Sequence, residues 1–201
     1  MNNRKTAADQ TRRHVLKGLA GSALALTALP ILPVTTYGAG KKTLILFFSR
    51  SGNTRKLATM IHARVGGDLL EVQPAKDYPQ DYDTLTKEAK KEQQEQARPA
   101  LATKLPNLDA YSTIFLGYPN WWGTMPMFFF TLLETHDFSG KTIVPFCTPG
   151  GSRLGRSEED IKRLCPKTTV LKGFSAFGKH VDEASTEVDA WLHGLHIPTV
   201  R

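Results

Sequence analysis

The sequence predicts an α/β fold, in which helices cover a parallel β-sheet, and three observations support this prediction. Short apolar runs alternate along the chain with segments whose apolar residues recur at helical spacing, which is the order of elements in βαβ units. The first run, Thr43–Phe48, is apolar at nearly every position, as is typical of a strand covered on both faces. The pair Gly66-Gly67 ends the first helical segment, where a chain leaving a helix often needs left-handed backbone.

Five strands are predicted, each a short and mainly apolar run that is followed by a helical segment. Because consecutive parallel strands are joined by right-handed crossovers, the helices should cover both faces of the sheet and give a doubly wound, three-layer fold. The predicted strands are Thr43–Phe48, Asp68–Val72, Ser112–Tyr118, Thr142–Cys147 and Thr168–Phe174.

The predicted helices are recognised by apolar residues three and four positions apart. The first, Thr54–Val65, shows this spacing at Leu57 and Ile61. The fourth should begin at Ser157, because a serine followed by Asp160 three positions later is a capping-box pattern. The other three are Thr84–Gln96, Met125–Thr135 and Val181–Leu195.

The first forty residues predict an export signal that is separate from the domain that follows. A polar segment carries the paired arginines Arg12 and Arg13. Residues 18–32 then form an uncharged run, shorter than the ~20 residues needed to cross a bilayer. The pattern resembles a twin-arginine signal, with an ordinary signal peptide as the alternative. We therefore predict residues 1–40 as signal and linker, residues 41–201 as the domain, and a location in the periplasm or cell envelope.

The charge distribution argues against a nucleic-acid-binding protein. The formal net charge is +7, but the first forty residues hold five basic residues and one acidic residue. The rest of the chain has 21 basic and 18 acidic residues, which is a net charge of +3. Its richest basic cluster, residues 87–91, is interleaved with glutamates, as on a solvated helix face. We therefore expect no nucleic-acid partner.

No metal site and no catalytic acid–base pair stands out in the sequence. The six histidines lack the spacing of metal ligands. Cys147 ends the fourth strand, whereas Cys165 follows a helix that returns to the other end of the sheet. This placement separates the two cysteines by more than the ~7 Å between Cα atoms that a disulfide allows, so we expect two free, buried thiols.

The loop after the first strand predicts a phosphate-binding site. In doubly wound sheets, ligands bind beyond the carboxyl ends of the strands, where the strand order reverses. Residues 49–54 form a hydroxyl-rich turn that leads directly into the first helix. The unpaired N–H groups and the positive end of the helix dipole at such a turn favour an anion.

The loops after the third and fourth strands predict a site for a planar ring. Two tryptophans, Trp121 and Trp122, are adjacent in the first of these loops. We expect one to pack beneath the third helix and the other to stack on a flat aromatic ligand. Gly123 and the Gly150-Gly151 pair would let the backbone approach that ligand closely. A phosphate at one end and a ring at the other describe a mononucleotide-like cofactor.

With these motifs, the chain resembles flavodoxins. Residues 49–54 are similar to the flavodoxin phosphate loop, and Gly117–Gly123 matches the Gly-Tyr-Pro-x-Trp-Trp-Gly signature of a flavodoxin-like subfamily. Residues 139–148 also follow the pattern of that subfamily. The resemblance extends from Lys42 to Leu195. It implies a five-stranded parallel sheet of order 2-1-3-4-5 and flavin mononucleotide (FMN) as the cofactor.

The resemblance also implies a role for each residue of the three loops. The residues expected to hold the phosphate of FMN are Ser49, Ser51, Gly52, Asn53 and Thr54. Those expected on one side of the isoalloxazine are Pro119, Asn120, Trp121, Trp122 and Gly123. Those expected on the other side are Thr148, Gly150 and Gly151. Arg50 stands where familiar flavodoxins have a small residue, so it either contacts the phosphate or a partner, or points outward.

The implied function is electron transfer by a flavoprotein outside the cytoplasmic membrane. An FMN-dependent NAD(P)H:quinone or nitro-compound reductase is the alternative, and a cofactor-free binding module on the same fold is a weaker one. The expected partner is a redox protein or a small quinone-like acceptor, and the protein would be a monomer or a homodimer. It would stay at the membrane only if the signal remained uncleaved. Familiar flavodoxins are strongly acidic, so a net charge of +3 puts shared partners in doubt.

Overall fold

The computed structural model describes residues 42–200. The predicted export signal lies outside the described residues. Within the described part of the chain, no helix combines the length and the apolar character needed to cross a membrane.

The sheet has the predicted parallel order. Strand β1 pairs with β2 on one side and with β3 on the other, and β3 pairs with β4, all in parallel. The order is therefore 2-1-3-4-5, as predicted. The strands are β1 Lys42–Phe47, β2 Asp68–Glu71, β3 Tyr111–Pro119, β4 Thr142–Thr148, β5 Thr169–Val170 and β6 Phe174–Ser175.

Five α-helices connect the strands at the predicted places. Helix α2 begins two residues earlier than predicted, because the Asp81 side chain accepts a hydrogen bond from the Thr84 N–H and caps the helix. The last predicted helix is divided, with a 3₁₀ segment at Gly178–Glu183 before α5. The helices are α1 Asn53–Val65, α2 Tyr82–Gln94, α3 Met127–Thr135, α4 Ser157–Leu164 and α5 Ser185–Gly194.

The core has two layers, one on each face of the sheet. Alternate residues of β1 point to opposite faces, so Leu44 and Leu46 belong to one apolar cluster and Ile45 and Phe47 to the other. Helices α2, α3 and α4 cover the first cluster, and helices α1 and α5 cover the second. This is the predicted three-layer arrangement.

The fifth strand differs from the prediction because it is broken into β5 and β6. Both pieces pair with β4, and residues 171–173 leave the ladder between them. The Leu171 N–H still donates to the Ile143 carbonyl. The next donor on that side of β4 would be Pro145, which has no N–H, so the ladder stops there.

The capping-box prediction at Ser157 is wrong. The residue before α4 is Arg156, and no side chain caps this helix. The Ser157 hydroxyl instead donates to the Leu154 carbonyl and accepts a hydrogen bond from the buried Tyr118 hydroxyl at 2.7 Å. Asp160 is also buried and serves the loop after β3, as described below.

The two cysteines are buried, free thiols with different partners, as predicted. The Cys147 thiol donates to the Arg153 carbonyl, and the Cys165 thiol to the Leu133 carbonyl. Burial raises the pKa of Cys147 to about 12 and that of Cys165 to about 11.

We expect both thiols of the native protein to react at least about tenfold more slowly with a disulfide reagent at pH 8 than in the unfolded protein, because the thiolate is the reactive form. Unfolding in denaturant without reductant should release two reactive thiols per chain. Detection of none would show a disulfide and contradict the expected separation of the two residues.

Candidate cofactor-binding site

Three loops meet at one edge of the sheet. Strands β1, β3 and β4 are neighbours and parallel, so their carboxyl ends lie together. Phe47 pairs with Gly117, and Pro119 pairs with Thr148, which brings the three following loops side by side. We call these the phosphate loop (residues 49–54), the tryptophan loop (residues 120–124) and the glycine loop (residues 149–155).

The phosphate loop has the geometry of an anion site. Gly52 has a φ of +88°, and a Cβ added there would meet no atom within 4 Å, so open space lies beside its backbone. The next residue, Asn53, begins α1, whose first N–H groups have no partner within the helix. Ser51 is exposed at the same turn.

Ser49 provides the observation that tests whether this loop suits a phosphate. Its side chain is buried, and its hydroxyl has no hydrogen-bond partner among the described residues. A buried hydroxyl without a partner costs about 1–3 kcal/mol. An anionic oxygen at this turn would remove that cost, so the residues present fit the phosphate of the implied cofactor.

Thr54 joins the phosphate loop to the end of β4. Its hydroxyl shares a hydrogen bond of 2.7 Å with the hydroxyl of Thr148, and both side chains are buried. The sequence-based interpretation assigned these residues to opposite ends of the cofactor. The structure brings their side chains into direct contact, so each positions the other.

Arg50 does not point freely outward. Its guanidinium donates to the carbonyl of Gln80, and more weakly to that of Pro79 at 3.5 Å. These contacts tie the phosphate loop to the segment before α2. The Nε of Arg50 is buried without a partner among the described residues, so it remains available to an anion.

The two tryptophans occupy different environments. The ring of Trp121 makes edge contacts with Tyr78 and Phe48, at centroid distances of 4.8 and 6.0 Å. Trp122 is 48% exposed, and its indole N–H donates to the Thr86 carbonyl at 2.9 Å. Trp121 is therefore the packed member of the pair. Its partners include Tyr78 and Phe48, so it does not pack against α3 alone, as predicted.

A cavity of about 490 Å³ lies between the tryptophan loop, the glycine loop and α2. We call it the ring cavity. Four of the predicted site residues line it, namely Asn120, Trp121, Trp122 and Gly150. Its other lining residues are Tyr82, Leu85, Thr86, Ala89 and Ser152.

The contribution of Leu85, Thr86 and Ala89 of α2 to the ring cavity was not predicted from the sequence. Leu85 and Ala89 are four positions apart and both buried, so they share one face of the helix. The spacing of Leu85 and Ala89 could have indicated a buried face of α2, but the charged residues around them led us to predict a solvated helix face.

Other predicted residues lie around the ring cavity without lining it. Gly151 lines a neighbouring cavity of about 480 Å³, together with Pro149 and Arg153. Pro119 ends β3, and Gly123 sits in the turn with a φ of +83°. The structure therefore brings all three loops together. Only some of their residues line the ring cavity, and the others hold the lining residues in place.

Hydrogen bonds fix the tryptophan loop against the glycine loop. The Asn120 side chain donates to the Arg153 carbonyl at 2.7 Å and accepts from the Gly123 N–H at 3.0 Å. The Arg156 N–H donates to the Gly123 carbonyl at 2.8 Å. Both loops therefore hold one arrangement, and a shift in one moves the other.

A buried polar cluster supports the tryptophan loop from below. The Thr124 hydroxyl donates to the Asp160 carboxylate at 2.7 Å, and both side chains are buried. Asp160 also pairs with Arg163 at 3.0 Å and with Arg156 at 3.4 Å. The sequence-based interpretation missed Thr124 and Asp160 as site residues, because their contact depends on the packing of α4 against the loop.

Comparison with known proteins identifies the family. Residues 42–195 match the family model for flavodoxin, which is most of the chain. The chain belongs to the flavodoxin family. This family binds FMN, so the predicted cofactor is confirmed at the level of the family.

Two solved Bacteroides structures resemble this flavodoxin, and both proteins are provisionally described as flavoproteins. The one from Bacteroides uniformis is 33% identical, with a TM-score of 0.69, and the match covers 77% of this chain and 99% of that chain. The one from Bacteroides eggerthii is 32% identical, with a TM-score of 0.67, and the match covers 78% of this chain and 98% of that chain.

A Lactobacillus acidophilus flavoprotein solved in complex with FMN shares the fold. It is 24% identical with a TM-score of 0.60, and the match covers 71% of this chain and 97% of that chain. A search of curated protein sequences found no match.

Proposed function

We propose that this flavodoxin binds FMN across the three loops and transfers electrons as a redox carrier. One observation supports this most directly. The buried hydroxyl of Ser49, which has no hydrogen-bond partner among residues 42–200, precedes the N-terminus of α1 and lies at the same sheet edge as a cavity lined by two tryptophans. A phosphate and a planar ring joined by a short chain would occupy both.

The phosphate loop would hold the phosphate. The donors that this turn offers are the hydroxyls of Ser49 and Ser51, the side chain of Asn53 and the open backbone at Gly52. Thr54 would act through its hydrogen bond to Thr148, which fixes the first turn of α1. The buried Nε of Arg50 adds a positive charge beside them.

The ring cavity would hold the isoalloxazine. Trp121 is fixed by its edge contacts and gives a rigid wall. Trp122 is half-exposed, so a ring stacked on it would remove apolar surface from water. On the other side, Gly150 leaves open space for the ring edge, because a Cβ added there would meet no atom within 4 Å.

FMN supplies the redox chemistry when bound, and the protein binds it, orients it and excludes water. The described residues that line the ring cavity include no carboxylate, histidine or lysine. A carrier needs no proton donor of its own, so this lining favours electron transfer over a dedicated reductase. We also propose, from the paired arginines and the apolar run in residues 12–32, that the carrier works outside the cytoplasmic membrane.

We expect FMN to bind the purified protein at least about 100-fold more tightly than riboflavin, because riboflavin lacks the phosphate and a charged hydrogen bond contributes about 1.5–3 kcal/mol. Quenching of flavin fluorescence measures both affinities. Ser49→Ala should weaken FMN binding and leave riboflavin binding unchanged. Ser139→Ala, in a loop at the opposite end of the sheet, is the matched control.

Three outcomes would change the proposed function. Equal affinity for FMN and riboflavin would show that the phosphate loop does not hold the phosphate. Binding of neither flavin would support the cofactor-free module. Steady NAD(P)H oxidation by the flavin-loaded protein with a quinone would support the reductase.

A further inference from the structure

Helix α2 carries a carboxylate in line with its buried apolar residues. Leu85, Ala89 and Glu92 are separated by four and three positions, so they share one face of the helix. Leu85 and Ala89 are buried and line the ring cavity, and Glu92 is half-buried. Within residues 42–200, Glu92 forms no ion pair with a basic side chain. Because a partly buried charge is costly when it has no partner, this carboxylate needs another polar group.

The partner of Glu92 is the hydroxyl of Tyr78. This hydroxyl donates to Glu92 Oε2 at 2.8 Å. Burial raises the pKa of Tyr78, so the hydroxyl keeps its proton and acts as the donor. Burial also raises the pKa of Glu92, and the hydrogen bond from Tyr78 opposes that rise because it favours the charged carboxylate. A carboxylate acceptor makes this a strong hydrogen bond with a fixed direction.

Tyr78 in turn contacts Trp121. The two rings lie nearly perpendicular, at 86°, with their centroids 4.8 Å apart. Tyr78 also contacts Phe48 and Phe128, at centroid distances of 6.4 and 6.2 Å. It lies between β2 and α2, and among the described residues its backbone forms no hydrogen bond with another backbone group. The contacts of its side chain therefore fix its position.

The pair acts on the ring cavity only through Trp121. Trp121 lines that cavity, whereas Tyr78 contacts the edge of Trp121 without lining it. Glu92 lines a separate cavity of about 490 Å³ on another face of α2. That cavity also contains Lys76 and Glu88, which pair with each other at 3.0 Å. Tyr78 and Glu92 are therefore not themselves contacts of a ligand in the ring cavity.

We propose that Glu92 and Tyr78 are positioning residues for the ring end of the cofactor site. The proposal rests on the proposed binding of FMN and names what fixes one wall of the cavity. Glu92 orients the Tyr78 ring through its hydroxyl, and the Tyr78 ring orients Trp121. A wall that is already ordered loses less entropy when a flavin ring packs against it, so the pair raises the affinity for the ring.

The affinities for riboflavin and FMN test this effect. Tyr78→Phe and Glu92→Leu each remove the hydrogen bond, and we expect each to weaken the binding of both flavins by about 3- to 10-fold. Glu92→Gln keeps an acceptor oxygen and should stay within about twofold of the unmodified protein. Tyr111→Phe is the matched control. The Tyr111 hydroxyl donates to the Asp68 carboxylate at 2.7 Å, but these residues begin β3 and β2, at the end of the sheet away from the three loops.

Stability separates positioning from folding. Glu92→Leu leaves the buried Tyr78 hydroxyl without its partner, so Tm should fall by about 3–8 °C. Adding Tyr78→Phe replaces both partners with apolar groups and should recover most of that loss. We expect the flavin affinity of this double variant to stay reduced, because an apolar contact does not fix the direction of the ring. Recovery of the affinity together with Tm would show that the pair serves stability alone and would overturn the proposal.

The motion of Trp121 can be measured without a flavin. Trp122→Phe with Trp191→Phe leaves Trp121 as the only tryptophan of the chain. In this background, we expect Tyr78→Phe and Glu92→Leu to increase the amplitude of its nanosecond motion, measured by fluorescence anisotropy decay, by at least about twofold. Glu92→Gln should leave that amplitude nearly unchanged.

An unchanged amplitude in both Tyr78→Phe and Glu92→Leu would overturn the proposal whatever the flavin affinities are. Flavin affinities as low in Tyr111→Phe as in Tyr78→Phe would overturn it as well. If the unmodified protein binds neither flavin although the motion of Trp121 responds as expected, the FMN binding on which the proposal rests is wrong instead.

Discussion

Gly155→Ala is expected to weaken FMN binding at least tenfold, which corresponds to about 1.4 kcal/mol. Gly155 has a φ of +56°, where a residue with a Cβ is strained. A Cβ at this position would also lie 2.1 Å from the Gly123 carbonyl oxygen. Because that contact is with backbone, the glycine loop and the tryptophan loop must move apart. The ring cavity between them would then lose its shape.

The measurement is FMN affinity by fluorescence quenching, together with the free energy of unfolding from denaturant titration. We expect the affinity to fall for FMN and riboflavin alike, because the phosphate loop is untouched and the ring cavity is damaged. Gly194→Ala is the matched control, since its Cβ would meet no atom within 4 Å. Unchanged flavin affinity in Gly155→Ala would show that contact between the two loops does not shape the cofactor site.

Gly117→Ala is expected to destabilise the whole fold by about 1–3 kcal/mol or more. Gly117 lies in β3, within the sheet, and a Cβ there would lie 2.1 Å from the nearest atom of the Phe146 ring. Phe146 is fully buried, so its ring has no free space into which to move. The added methyl group must therefore push β3 and β4 apart or force the Phe146 ring against its neighbours in the second core cluster.

A second substitution distinguishes overpacking from other effects. Phe146→Leu removes ring atoms, so Gly117→Ala with Phe146→Leu should be more stable than the sum of the two single changes predicts. Denaturant titration of the four proteins gives the coupling energy. Additive effects would show that the Phe146 ring is not what excludes a side chain at position 117.

The positions of the strands and the phosphate loop could be predicted because they depend on neighbouring residues. The run Leu44–Phe48 is apolar throughout, and only a doubly covered strand buries every residue of such a run. The turn at Gly52 and the start of α1 at Asn53 follow directly from local backbone preference. The family followed from the same motifs, since it depends on the order of three loops along the chain.

The break in the fifth strand and the role of Asp160 could not be predicted in this way. Thr168–Phe174 is a reasonable strand by itself, but its partner β4 presents Pro145 at the point where a donor is needed. Asp160 has the spacing of a helix cap, but its carboxylate is used by Thr124. In both cases, a residue distant in the chain decides the outcome.

The sequence by itself determined the fold class through the periodicity of its apolar residues, and its motifs implied the strand order through the resemblance to flavodoxins. Local turn chemistry also marked the loop that is proposed to hold a phosphate. Only the tertiary structure decided which tryptophan is fixed and which is exposed, that α2 completes the ring cavity, and that Thr54 contacts Thr148. The physical reason is that these are contacts between side chains from separate elements, and their geometry exists only once the sheet has packed its helices.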